Sequence, residues 1–147
     1  MNPSSLPLPI RRQAAARAAV ARFNGASLKY GTNDCIRMAG LTLRKMGHKV
    51  DLPKAGEYRT LRAGLKLLKA RGHGSIEAAL DGMGLPRVTL AFAQAADIIG
   101  VPGVDGLIAL WVAVGNGRAL GWHASSDQAC IIQPTTDEAI VWSAARG

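Results

Sequence analysis

Cys35 is the residue of this 147-residue sequence whose type and position point most directly to chemistry. It follows residues 30–34, Tyr-Gly-Thr-Asn-Asp, which indicate a turn that leads into a helix. A thiol at a helix N-terminus lies beside unpaired amide groups, which lower its pKa and favour the nucleophilic thiolate. Cysteine also occurs as a small buried hydrophobic residue. Two interpretations of Cys35 are therefore open, a nucleophile or a member of the core.

The helix that begins at Cys35 is predicted to end at Met46, because a glycine follows. Thr32 or Asn33 is the expected N-cap, and Asp34 is expected in the first turn, near the positive end of the helix. Residues at helical spacing give this helix one apolar face, which we expect to be buried. That face consists of Cys35, Ala39, Leu43 and Met46.

A nucleophilic thiol needs a base within hydrogen-bond reach, and the sequence contains three histidines. His48 lies beyond the far end of the Cys35 helix, roughly 20 Å along the axis at about 1.5 Å per residue. His73 lies between two glycines and is expected to be a solvated loop residue. His123 ends a predicted strand and is the candidate base, with a surface residue as the alternative.

Other kinds of site have little support. The cysteines and histidines lack the spacing of a metal site, and no glycine-rich phosphate-binding motif is present. We therefore expect neither a metal nor a cofactor. Cys35 and Cys130 allow one disulfide, but two free thiols in a reducing compartment are the expected state.

Composition predicts one folded domain, since 48% of residues are hydrophobic and 19% are charged. The formal charge of +8 permits a polyanionic partner such as nucleic acid or a cell-wall polymer. Aromatic residues make up only 5%, which argues against a stacking platform for nucleic-acid bases. No apolar run approaches the ~20 residues of a membrane span, and no signal peptide is evident, so we expect synthesis in the cytoplasm.

The chain changes near residue 97 from helical patterns to strand patterns. Residues 1–9 contain three prolines and predict an extended arm, which precedes a single domain over residues 10–147. Predicted helices cover residues 10–23, 35–46, a segment capped by Thr60, and 75–80, with a further turn or two in 90–96. Predicted strands cover residues 97–101, 107–114, 118–123, 129–133 and 139–143. Short connections between strands favour antiparallel pairing and an α+β fold.

The first predicted helix is rich in arginine. Its cations point in several directions, so they form either a solvated face or a contact surface for a partner. These residues are Arg11, Arg12, Arg17 and Arg22.

Residues 30–35 resemble the Gly-x-x-Asp-Cys start of the papain-like NlpC-type cell-wall cysteine peptidases. Residues 96–99 and 107–115 resemble that family's first two strands. The resemblance is closest to the short phage-encoded relatives among tail genes, in which a Tyr-x-Thr segment follows, here Tyr58 to Thr60. It spans residues 28–144 and implies a papain-like α+β fold, with Asp34 and Cys35 in the active-site motif.

The same comparison implies a silent site. In active peptidases the catalytic histidine begins the second strand, but residues 106–110 here read Gly-Leu-Ile-Ala-Leu. The polar third residue expected near residues 118–122 is also missing, and Ala96 replaces the family's glycine before Asp97. Loss of a general base lowers activity by roughly 10²–10⁴-fold.

The favoured function is accordingly a bacteriophage tail or tail-tip structural or assembly protein, located in the virion after synthesis in the host cytoplasm. Its expected partners are other tail proteins, such as hub, distal tail or baseplate components, contacted through the first helix and the N-terminal arm. One alternative is a peptidoglycan-cleaving cysteine endopeptidase or amidase, with Cys35 as nucleophile and His123 as base. Another is a nucleic-acid-binding module, which charge alone motivates.

Overall fold

The computed structural model describes residues 6–103, 106–123, 126–134 and 137–145. Within these ranges the fold is α+β, with four helices followed by six strands of one antiparallel sheet. The helices are α1 (Leu8–Phe23), α2 (Cys35–Lys45), α3 (Leu61–Ala70) and α4 (Ile76–Gly82). The strands are β1 (Arg87–Val88), β2 (Ile98–Pro102), β3 (Ile108–Gly115), β4 (Arg118–Gly121), β5 (Cys130–Ile132) and β6 (Ile140–Trp142).

Local sequence signals explain where the helices begin. Thr60 and Ser75 cap α3 and α4 with their side chains, which accept hydrogen bonds from backbone amides in the first turn. Helix α1 begins at Leu8, so the predicted boundary at residue 10 is wrong. Pro9 fits the first turn, where its missing N–H has no helical partner to lose. The first five residues of the predicted arm lie outside the described ranges.

The sheet has the strand order β1-β6-β2-β3-β4-β5. All five predicted strands are present within one or two residues at each end, and the antiparallel pairing is confirmed. Asn116 and Gly117 both have positive φ, 56° and 73°, as the tight β3–β4 hairpin requires. The two-residue strand β1 was not predicted, and it exists through pairing with β6. In residues 90–96 only a short 3₁₀ turn forms, Leu90–Phe92.

The helices cover one face of the sheet, and strand β3 shows which side chains meet them. Ile108, Leu110 and Val112 alternate into the main core, which includes residues of α1 and α2. Trp111 and Ala113 point to the opposite face and join a second, smaller cluster. This alternation decides which residues of β3 can meet the start of α2.

Arg12 is a core residue and not part of a solvated or partner-binding face. It is 6% exposed, and its Nη1 lies 2.6 Å from Oδ1 of Asp97, which is 1% exposed. Asp97 also accepts hydrogen bonds from the backbone amides of Gln94 and Ala144. The ion pair therefore ties α1 to the start of β2 and to the C-terminal segment.

No helix of the described ranges is both long enough and apolar enough to cross a lipid bilayer.

Candidate functional site

Asp34 organises the loop before Cys35, and its carboxylate is almost fully buried. Asp34 itself is the N-cap of α2, because its Oδ1 accepts a hydrogen bond from the amide of Arg37 at 2.8 Å. Its Oδ2 accepts from the amide of Gly31 at 2.8 Å and from the hydroxyl of Tyr58 at 2.6 Å. The prediction that Thr32 or Asn33 caps the helix is therefore wrong.

Tyr58 holds this loop in place through its hydroxyl group and its backbone. Burial and its hydrogen bond to Asp34 raise the pKa of the Tyr58 phenol well above its ordinary value. The approach is close enough to require glycine at position 31, which has a φ of +92°. A Cβ there would lie 2.0 Å from the carbonyl oxygen of Tyr58. Tyr58 and Thr60 of the Tyr-x-Thr segment thus hold the Cys35 loop and cap α3, respectively.

Cys35 lies at the first position of α2, where the sequence predicts a thiol with a lowered pKa. The residue as a whole keeps some exposure, but surrounding atoms desolvate its sulfur. This burial raises the pKa of the Cys35 thiol to about 11, and the nearby charge of Asp34 acts in the same direction. Hydrogen bonds from the backbone, with Leu110 foremost, oppose the rise without reversing it. Of the two interpretations of Cys35, this environment favours a member of the core, since desolvation outweighs the helix terminus.

The side chains that could act as a base are engaged elsewhere or separated from the sulfur. His48 Nε2 lies 2.5 Å from the carbonyl oxygen of Ala144, and His73 Nε2 lies 2.9 Å from Asp51. No hydrogen bond in the described ranges connects the Cys35 sulfur with an imidazole. Strand β3 meets the sulfur through the backbone of Leu110, which hydrogen-bonds to it.

His123 reaches the same cleft as Cys35 but from the other face of the sheet. Its ring packs edge-to-face on Trp111, with 5.0 Å between the centroids, and Trp111 belongs to the cluster that faces away from the helices. The preceding Trp122 points the opposite way, towards Phe23 of α1. The Nε2 atom of His123 is buried without a hydrogen-bond partner. Cys35 and His123 are thus neighbours of one cleft, not a hydrogen-bonded pair.

The cleft has a volume of about 580 Å³ and mostly apolar walls. Five of its larger lining residues are Tyr30, Leu61, Leu107, Trp111 and Trp122. Trp111 Nε1 is a second buried polar atom without a partner. Such a cleft is suited to hold an apolar group, with few polar atoms to orient it.

Trp111 is a lining residue of the cleft that the sequence analysis did not identify as part of a site. Its place on the face of the sheet away from the helices was readable from the alternation of β3, in which it is out of phase with Ile108 and Leu110.

Neither cysteine is bonded: Cys35 and Cys130 are both free thiols. In the described ranges, no three side chains of histidine, cysteine, aspartate or glutamate cluster as a metal site would require.

Comparison with curated proteins gives no significant match. A family model described as DUF6950, a domain of unknown function, matches residues 10–143. Because the match covers most of the folded chain, this protein belongs to the DUF6950 family.

Proposed function

We propose that this protein is a catalytically silent member of the papain-like scaffold that acts as a structural or assembly protein of a bacteriophage tail. The observation that carries the proposal is the environment of Cys35. Its thiol has a pKa of about 11, and no imidazole of the described ranges is hydrogen-bonded to its sulfur.

The papain-like assignment is supported by how the motif residues work together. A cysteine begins α2, which packs against the central strand β3 of an antiparallel sheet. Asp34 and Tyr58 fix the loop before it. Ala96 has a φ of 77° at the position where the peptidases resembled by this sequence have glycine.

The ionisation of the thiol supports silence. With a pKa of about 11, roughly one thiol in 10⁴ is ionised at pH 7. Catalytic cysteines have pKa values of about 3.5–7.5, so a large fraction of them is ionised. The missing base adds a further loss of roughly 10²–10⁴-fold. Both effects act on the same step, the attack of sulfur on a carbonyl carbon.

The assignment to a tail rests on the resemblance of residues 30–35 and 58–60 to short phage-encoded relatives. Its test is the composition of purified particles from the strain that encodes the protein. Immunoblots and mass spectrometry should find the chain in mature tails or in tail-assembly intermediates. Its absence from both would contradict the tail assignment.

A peptidoglycan endopeptidase or amidase is the second candidate, because Cys35 and His123 line one cleft. Muropeptide digestion compares the wild type with Cys35→Ala, and Cys130→Ala serves as the matched thiol control. We expect no product from any of the three. Cleavage that Cys35→Ala abolishes and Cys130→Ala preserves would replace the silent scaffold with an enzyme.

A further inference from the structure

Helix α3 carries a row of cations on its exposed side. Arg62, Lys66 and Lys69 follow one another at i, i+4 and i+7, and all three are exposed. The helix contains no acidic residue. At about 1.5 Å rise per residue the row is roughly 10 Å long.

These charges are not neutralised within the described part of the chain. None of the three has a salt bridge there, whereas Arg71, just after the helix, pairs with Glu57 at 3.0 Å. The row is therefore a surface of uncompensated positive charge, unlike the buried Arg12 of α1.

An apolar cleft of about 430 Å³ lies beside the row. Leu65 and Leu68 of α3, Ile76 of α4 and Leu107 form its apolar lining. Leu68 and Ile76 are buried, and Leu65 and Leu107 are partly exposed. The three cations line this cleft together with one carboxylate, Glu77, so the cleft has a net positive lining and can receive an aliphatic side chain.

We propose that the α3–α4 cleft binds a polypeptide segment of a partner protein that carries carboxylates beside an aliphatic side chain. A partner helix with acidic residues at i, i+4 and i+7 matches the length of the cation row, and its neighbouring leucine fills the cleft. Among the described residues the lining contains no phenylalanine, tyrosine or tryptophan, and its one ring, the His73 imidazole, is held by Asp51, so the cleft is a poor platform for stacked nucleic-acid bases. The inference rests on the proposed role as a structural or assembly protein, for which it names the contact surface and the chemistry of the partner.

The test uses the full chain and fluorescein-labelled helical peptides as probes, with binding measured by anisotropy at about 100 mM salt. One peptide has glutamates at i, i+4 and i+7 with leucines beside them, and its control has glutamines in place of the glutamates. We expect the glutamate peptide to bind about tenfold more tightly, since each lost rim pair weakens binding roughly two- to threefold.

Variants locate the binding surface. Lys66→Gln should weaken binding of the glutamate peptide about threefold, and Lys66→Glu about tenfold. Arg17→Gln, which removes an exposed charge from α1, is the matched control and should change the affinity less than about twofold. Far-UV circular dichroism checks that each variant keeps its fold.

Three results would overturn the inference: equal affinity for the two peptides, equal effects of Lys66→Gln and Arg17→Gln, or tighter binding of duplex DNA or phosphatidylglycerol vesicles at the same salt. The tail assignment can fail independently of this inference. Peptide binding with the chain absent from tail particles would remove the tail assignment and leave the cleft as a binding surface.

Discussion

The hydrogen bond from the Tyr58 hydroxyl to Asp34 stabilises the loop before Cys35, and a single substitution removes it. In Tyr58→Phe the ring stays and only the hydroxyl is lost, so the loop loses one donor to a buried carboxylate. That hydrogen bond is 2.6 Å long, and both residues are almost fully buried. A hydrogen bond to a charged group contributes about 1.5–3 kcal/mol. We therefore expect Tyr58→Phe to lower the free energy of unfolding by about 2 kcal/mol.

The corresponding shift in Tm follows from the size of the chain. At about 2.1 cal/mol/K per residue, the unfolding entropy of 147 residues is about 0.3 kcal/mol/K. A loss of about 2 kcal/mol then lowers Tm by about 6 °C. Thermal and urea unfolding followed by circular dichroism measure both quantities.

Tyr30→Phe is the matched control, because Tyr30 lines the cleft and makes no hydrogen bond through its hydroxyl in the described ranges. It should change the free energy of unfolding by less than about 0.5 kcal/mol. Equal losses of unfolding free energy in Tyr58→Phe and Tyr30→Phe would refute the stabilising role of the Tyr58 hydroxyl.

Three further predictions concern stability. Arg12→Met should cost about 3–5 kcal/mol in urea unfolding, because it leaves buried Asp97 without its cation, and addition of Asp97→Asn should cost less than additively. Ala96→Gly should change the free energy of unfolding by less than about 1 kcal/mol, because relief of the left-handed backbone offsets the lost methyl group and the added freedom of the unfolded chain. The control Ala19→Gly, at an equally buried but helical position, should lower the free energy of unfolding by about 2 kcal/mol. Equal losses in the two variants would contradict this reasoning. The raised pKa of Cys35 favours the neutral thiol in the folded state, so the free energy of unfolding should fall by about 2–3 kcal/mol as pH rises from about 9 to 11. Urea unfolding as a function of pH measures this decline, and Cys35→Ala should remove this part of it.

The five longer strands and the starts of α3 and α4 were predictable because their signals are local. Thr60 and Ser75 act as caps through amides within the next few residues. Asn116 and Gly117 define their hairpin by their own backbone preferences. Strand β3 was predicted from its continuous apolar run. None of these requires knowledge of a distant partner.

The errors concern residues whose role depends on distant contacts. Arg12 has the same spacing as a solvated arginine, and its partner Asp97 lies 85 positions away. The nucleophile interpretation of Cys35 took account of the helix terminus but not of the burial that surrounding segments impose. The cap of α2 is different, because Asp34 caps the helix through the amide of Arg37, three positions later, and only its second carboxylate oxygen has a distant donor, Tyr58. Periodicity carries no information on such pairs.

The pH dependence of Cys35 alkylation by iodoacetamide, measured in the Cys130→Ala variant, tests the silent site most directly. We predict a rate that rises until about pH 11. At pH 7 the thiolate fraction, and with it the rate, should be about a hundredfold below that of a thiol with the ordinary pKa of about 9. An inflection below about pH 8, which Cys35 paired with an imidazole would produce, would contradict the account.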